Sequence, residues 1–305
     1  MSINITIVTY NRLPLTRLCL PSVLTCAPRE CTVTLVDNGS TDGTQEYLTG
    51  MKRQYANLNL FLLKRNMGVS VAANLGWIAT QADYYIKLDN DVVIQSASLV
   101  ETLVKTLANN PQVAMAGFRL ADWADAKEQV TLPDGTGFLS TSMCNGGCVA
   151  IPRNIHEEFG FWVEDYGKYG FEDLDYSYRV KDKGYIVGYP ETPERAAIHL
   201  GFAEGAVYEE QEVKKKIAIE TISGGKTKFV LNRFLFQNNI RSHYVERRHL
   251  PLLQGDTISF QPNPGYRAII KIQNELLPKF SFSAQGNTIE VDLSSVKETW
   301  GTNPR

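Results

Sequence analysis

Three times within its first ninety residues the chain repeats one pattern: a short apolar run, rich in β-branched side chains, stops abruptly in a polar loop. Ile3 to Thr9 gives way to Tyr10-Asn11-Arg12. Cys31 to Val36 gives way to Asp37-Asn38-Gly39-Ser40-Thr41-Asp42-Gly43-Thr44. Tyr84 to Leu88 gives way to Asp89-Asn90-Asp91. Runs of this length and composition predict buried strands. Helical signals lie between them. Pro14 suits a helix start, and Leu15, Leu18, Cys19, Ser22 and Val23 recur at helical spacing, with Pro21 disturbing the register. Ser40, Thr41 or Asp42 can cap the next helix. Leu58 to Leu63 reads as a further strand, and a small-residue helix follows through Ala72 and Ala73. Strands alternating with helices predict an α/β fold, with a mostly parallel sheet flanked by helices on both faces. In open sheets of this kind ligands bind beyond the carboxyl ends of the strands. The polar loops therefore become the candidate site.

Asp89 and Asp91 stand two positions apart. In extended chain such residues point to the same side, so both carboxylates can aim at one point past the strand end. Two hard oxygen donors suit Mg²⁺ or Mn²⁺ shared with phosphates. The same Asp-Asn-Asp run also suits a plain turn.

Ile7-Val8-Thr9-Tyr10-Asn11, Val36 to Thr44 and Leu88-Asp89-Asn90-Asp91, taken in order and each at a predicted strand end, resemble the nucleotide-binding blocks of family 2 glycosyltransferases. The resemblance covers about two hundred residues. It implies a GT-A fold and a nucleotide-diphospho-sugar donor, with UDP-sugar expected. It implies that Asp37 accepts a hydrogen bond from the uracil imide, and that Thr9, Tyr10 and Asn11 line the base and ribose. Arg65 or Asn66 reaches the nucleotide from the third strand, and Asp89 and Asn90 complete the nucleotide site. For Asp37 the alternative is a loop-capping carboxylate, and for Thr9 and Tyr10 it is ordinary strand-end packing.

The acceptor half is expected further on. Leu99, Leu103, Val104 and Leu107 form one apolar stripe of a surface helix, and Val113 to Phe118 reads as a strand. Asp122 to Phe138 is polar, with a turn at Pro133-Asp134-Gly135. Gly146 and Gly147 precede a strand from Cys148 to Ile151. Paired glycines permit close approach of another backbone or a sugar, or simply a tight turn. Two acidic pairs follow, Glu164-Asp165 and Glu172-Asp173. The second opens a helix, Leu174 to Lys183, stopped by Gly184. Carboxylates in a first helical turn are favoured by the helix dipole alone. Through Tyr178, Arg179 and Gly184 the second pair also resembles the family's Glu-Asp motif, which implies Asp173 as catalytic base and Glu172 on the acceptor side. The lead-in Lys168-Tyr169-Gly170 departs from the family's glycine-rich pattern and leaves acceptor preference open. Tyr185 to Tyr189 reads as another strand. A lone His is usually structural or surface-exposed, but the family resemblance implies His199 as the third metal ligand beside Asp89 and Asp91. Imidazole favours Mn²⁺ over Mg²⁺.

The expected organisation is a GT-A domain over residues 1–211, a basic helical connector over 212–249 and a small β-rich module over 250–305. The connector holds nine Lys or Arg against three Glu, with Phe229, Phe234, Phe236 and Tyr244 interleaved, in a chain of net charge −2. One reading is a peripheral membrane contact through Lys226, Lys228 and Arg233 with the phenylalanines dipping in. The plain reading is a solvated helix whose aromatics pack on the core or on the β-rich module, and a subunit contact is a third. Strands are expected at Thr257 to Phe260, Ala268 to Ile272, Lys279 to Phe282 and Thr288 to Leu293.

The net charge argues against a general nucleic-acid binder, and no apolar run approaches the roughly 20 residues that span a bilayer. No secretory signal is visible at Met1 to Tyr10. The five cysteines match no zinc pattern and read as reduced core residues. The expectation is a cytoplasmic protein, peripheral at the inner membrane face on the first reading of the basic segment. The activity expected is inverting, metal-dependent transfer of a sugar to a hydroxyl of a glycan, lipid-linked or other acceptor, in cell-surface polysaccharide or glycoconjugate synthesis. A sugar nucleotidyltransferase is the nearest rival, but Thr9-Tyr10-Asn11-Arg12 lacks its glycine- and lysine-rich triphosphate loop. A non-catalytic carbohydrate-binding protein is the other. Oligomeric state is not legible.

Overall fold

A computed structural model describes residues 1–120, 127–168, 170–193, 195–200, 236, 242–254, 257–266, 282–285 and 288–291. Strands β1 (Ile3–Thr9), β2 (Thr32–Asp37), β3 (Leu58–Leu62) and β4 (Tyr84–Asp89) alternate with helices α1 (Leu13–Cys26), α2 (Thr44–Gln54) and α3 (Val69–Ile78). Then come β5 (Val92–Ile94), α4 (Ser98–Asn109), β6 (Val113–Gly117), β7 (Lys127–Thr131), β8 (Gly137–Thr141), β9 (Cys148–Pro152) and α5 (Arg153–Phe159). Helix α6 (Glu172–Lys181), β10 (Ile186–Pro190) and β11 (Ala197–His199) complete the α/β unit. Late in the chain lie two hairpins, β12 (His249–Gln254) with β13 (Thr257–Pro262) and β14 (Phe282–Gln285) with β15 (Thr288–Val291).

Nine strands form one sheet in the order β3-β2-β1-β4-β9-β6-β10-β8-β7. The first four are parallel, as the repeated strand-helix pattern predicts. Strand β9 then runs antiparallel to both β4 and β6, β10 pairs parallel with β6, and the β7–β8 hairpin closes the far edge.

Period two along β1 sorts its side chains between two cores. Ile3, Ile5 and Ile7 join Leu20, Val23, Leu99, Leu103 and Leu107 on one face of the sheet. Asn4, Thr6 and Val8 face the other, towards α3. There Asn4 Nδ2 donates to Gly76 O at 3.0 Å, and Thr34 Oγ1 donates to Asn4 Oδ1 at 2.8 Å, so the buried amide is satisfied. A Cβ on Gly76 would lie 2.2 Å from Thr6 Cγ2, so glycine is what lets α3 lie this close to the sheet. Pro21 does not break α1, because it sits on the exposed face, where the carbonyl it orphans can meet water.

The β12–β13 hairpin docks on the α/β unit: Ile258 is buried and Phe260 half-buried in the core that holds Leu75 and Trp77. Phe236, a membrane-dipping residue on one reading, is buried instead, with ring centroids 5.5 Å from both Phe171 and Tyr178. That contact follows the plain reading of the basic segment. Phe229, Phe234, Lys226, Lys228, Arg233 and the predicted strand from Ala268 to Ile272 lie outside the described residues. Among the described residues no helix is long and apolar enough to cross a membrane.

Candidate functional site

Register alone brings three of the predicted residues to one sheet edge. Thr9 pairs with Asp37 across β1 and β2, and Val8 pairs with Asp89 across β1 and β4. The three polar loops therefore meet beyond the same carboxyl ends.

Asp37 is fully buried and collects five donors. Thr9 Oγ1 donates at 2.8 Å and Ser40 Oγ at 2.5 Å to Oδ2. The Gly39 and Ser40 amides and Gln45 Nε2 donate to Oδ1 at 3.2, 2.8 and 2.7 Å. This is the loop-capping arrangement that the sequence left open, and it uses the Thr9 hydroxyl. Asn66 Oδ1 accepts from Asn38 Nδ2 at 3.0 Å and from the Gly68 amide at 2.9 Å. Arg65 is exposed, and its backbone lies under Gly39, where a Cβ would come within 2.6 Å. Gly39 has φ 83°, so glycine answers both demands. Tyr10 and Asn11 are half-buried at the same edge.

At the end of β4 the chain turns sharply through Asn90 into β5. Asn90 points inward, donating to Thr16 Oγ1 at 3.0 Å and Asn11 O at 3.4 Å. Asp89 and Asp91 come together, Asp91 almost fully buried. Strand β11 runs antiparallel to β5 with His199 opposite Val92, and this places His199 Nε2 3.4 Å from Asp91 Oδ1. One donor atom from each of Asp89, Asp91 and His199 lies within 4.8 Å of the others. Two carboxylates and an imidazole converging from three points are a donor set that fits a divalent ion such as Mn²⁺. All three predicted metal residues are thus assembled.

Two cations are built into the same place. Lys87, almost fully buried, pairs with Asp89 and lies 5.7 Å from the Trp162 ring centroid. Arg12 pairs with Asp91. Neither was singled out from sequence. For Lys87 a signal existed: an ionisable residue inside an otherwise apolar strand, two positions before a carboxylate.

Asp173 lies in the first turn of α6, whose N-cap, Phe171, takes a left-handed φ of 75°. Asp173 Oδ2 accepts the Gly146 amide at 2.8 Å, and Oδ1 accepts the Leu174 amide at 2.8 Å. Gly147 O in turn accepts the Asp89 amide at 2.9 Å. The two glycines thus form a bridge between Asp89 and Asp173. A Cβ on Gly146 would lie 2.8 Å from the Trp162 ring and 3.3 Å from Asp173 Oδ2, and one on Gly147 would lie 2.5 Å from Leu120 Cδ1. Close approach is therefore the physical reason for both glycines. Burial raises the pKa of Asp173, against the two amides and Lys87, which lower it. Glu172 is raised by burial first and then by the Asp173 charge, and its Oε2 has no hydrogen-bond partner.

The other acidic pair faces elsewhere. Glu164 is buried, with Asn74 Nδ2 donating to Oε1 at 2.9 Å and the His249 amide donating to Oε2 at 3.0 Å. Asp165 accepts from Arg248 Nη1 at 3.4 Å and from the Tyr266 hydroxyl at 2.7 Å. These carboxylates tie the late chain to the α/β unit.

The profile of glycosyl transferase family 2 matches residues 4–160. An uncharacterized glycosyltransferase of Haemophilus influenzae is 27% identical over 144 residues, 43% of this chain and 58% of that protein, so the match spans little more than half of the relative. Among solved structures, GalNAc-T7 with UDP, GalNAc and Mn²⁺ superposes with a TM-score of 0.54 at 16% identity, over 65% of this chain and 43% of that one. The mannosyltransferase PcManGT of Pyrobaculum calidifontis, in complex with GDP-Man and Mn²⁺, gives 0.48 at 20% identity, over 63% and 57%. The structural likeness to the first is one of fold, the GT-A arrangement. With a family match over half its length, the chain belongs to glycosyl transferase family 2.

Proposed function

We propose that the protein is an inverting, metal-dependent glycosyltransferase that moves a sugar from a nucleotide-diphospho-sugar, a UDP-sugar by preference, to a hydroxyl of a glycan, lipid-linked or other acceptor. The observation that carries this reading is the pairing of two centres across one glycine bridge. Asp89, Asp91 and His199 converge on one side of Gly146-Gly147 and Asp173 on the other. A transferase needs these two charges: one group to receive the leaving diphosphate and one to receive the acceptor proton.

Asp89, Asp91 and His199 hold the divalent ion in this reading. The ion, when bound, neutralises the charge that develops on the leaving diphosphate. Asp173 takes the proton of the acceptor hydroxyl as that oxygen attacks the anomeric carbon from the face opposite the leaving group. Its raised pKa makes it a better base than an ordinary carboxylate, whose pKa is about 3.9. The amides of Gly146 and Leu174 fix its orientation, which supports in-line attack. Glu172, Gly146 and Gly147 border the acceptor. Thr9, Tyr10, Asn11, Arg65, Asn66 and Asn90 shape the nucleotide pocket, with Asp37 as the base-reading carboxylate. Among the five Asp37 donors, Gln45 has the long side chain that can yield its place to a uracil imide N–H. The cellular setting proposed is synthesis of a cell-surface polysaccharide or glycoconjugate by a protein at the cytoplasmic side.

Thermal shift with a panel of UDP- and GDP-sugars, with and without Mn²⁺, tests the donor class. A ligand at 100 times its dissociation constant adds about 2.7 kcal/mol of stability. Stabilisation by UDP-sugars that needs Mn²⁺ supports the reading. Stabilisation by GDP-sugars alone overturns the uridine preference, and none by any nucleotide sugar overturns the transferase reading.

A further inference from the structure

Two successive non-glycine residues, Asn11 and Arg12, hold left-handed backbone with φ of 52° and 66°. Such residues persist only where their surroundings fix them, and they cluster at functional sites. Here the surroundings are specific. The Asn11 amide donates to Ser40 Oγ at 2.7 Å, and Asn11 Oδ1 accepts the Thr41 amide at 2.8 Å. The amides of Leu15 and Thr16 donate to Arg12 O at 3.0 and 3.2 Å. The consequence of this clamped turn is that Arg12 leaves the end of β1 aimed at the end of β4, where its guanidinium meets Asp91 Oδ2.

Both carboxylates of the Asp89–Asp91–His199 cluster thus carry a built-in cation, and the two cations are not alike. Lys87 is 3% exposed, pinned beneath Trp162 and inside β4. Arg12 is 15% exposed and stands on a loop at the mouth of the site. A divalent ion placed at Asp91 repels a guanidinium on the same carboxylate, and this repulsion is strong where water is scarce. Lys87 has nowhere to go. Arg12 has a long, flexible stem and, beside the ion, a diphosphate whose oxygens match its planar fork.

We propose that Arg12 is a displaceable counter-ion: it holds Asp91 in the metal-free protein, yields that carboxylate to the divalent ion, and moves to the donor's diphosphate. The inference rests on the transferase reading above. It assigns Arg12 as a competitor of metal alone and a helper of metal with nucleotide. A purely structural brace would do neither.

Calorimetry on the full chain reads both effects without turnover. Wild type, Arg12→Gln and Arg12→Lys are titrated with Mn²⁺ alone, then with UDP at saturating Mn²⁺, after circular dichroism has established equal folding. Arg12→Gln is expected to bind Mn²⁺ alone about tenfold more tightly and UDP with Mn²⁺ about tenfold more weakly. Arg12→Lys, which keeps the charge, is expected close to wild type on Mn²⁺ alone. Unchanged or weaker binding of Mn²⁺ alone by folded Arg12→Gln overturns the counter-ion. Absence of any Mn²⁺ binding by wild type overturns the metal site beneath it as well, so the two failures are distinguishable.

Discussion

Glu172 is held in the site against the preference of its carboxylate for water. Its carboxyl is buried beside Asp173, and one of its oxygens has no partner. The folded protein therefore holds a proton there at a pH where the unfolded chain releases it. Where the folded state binds more protons, stability falls as pH rises. The loss begins at the ordinary glutamate range and is complete above the raised folded value. Glu172→Gln removes that loss. Its melting temperature is expected to exceed wild type at pH 8 and to match it near pH 4, and a parallel pH profile for the two proteins would contradict the assignment. Asp173, next in the chain, is the proposed base. Asp173→Asn is expected to depress transfer by roughly 10² to 10⁴ with donor binding little changed, the usual worth of a general base. Asp165→Asn is the control, since Asp165 serves Arg248 and Tyr266. Loss of transfer in Asp165→Asn with a mild Asp173→Asn would show that the wrong pair had been chosen.

Elements explain why the carboxylates meet. The Asn145-Gly146-Gly147 turn ends in β9, and β9 runs antiparallel to β4, so the turn arrives beside the end of β4. A single methyl at Gly146 must push against Trp162 and Asp173. Gly146→Ala is expected to fold and to lose about 10²-fold in turnover, since a misplacement near 1 Å has that effect. Wild-type rates in Gly146→Ala would show that the bridge does not set the geometry. Strands β1, β2 and β4 were legible because each is a compact apolar run cut off by turn-forming residues. Strands β5 and β11 were not, since three residues carry no period. The β7–β8 hairpin was hidden for another reason: Lys127–Thr131 is exposed along almost its whole length and shows no apolar alternation. Asp89, Asp91, His199 and Asp173 could be named from spacing and resemblance. The five donors around Asp37 could not, because three of its donor residues lie in the following loop and helix, one on β1, and only the fold aims them at one carboxylate.

At the scale of the whole molecule, the first four strands form a parallel block and the remaining strands of the sheet are laid against it through the antiparallel β9. The metal cluster and Asp173 sit on either side of that junction. The late chain reinforces the arrangement from behind: Glu164 and Asp165 hold His249, Arg248 and Tyr266, while Ile258 enters the core. Where described, residues of the expected β-rich module thus pack against the α/β unit. On the proposed function, Asp91 would carry a divalent ion on which sugar transfer depends. The most direct measurement of that dependence is donor turnover with the preferred nucleotide sugar in Mn²⁺, in EDTA, and in Asp91→Asn with Mn²⁺ restored. The account predicts turnover only for wild type with Mn²⁺, and an Asp91→Asn protein as stably folded as wild type. Full turnover in EDTA, or in Asp91→Asn, would contradict it.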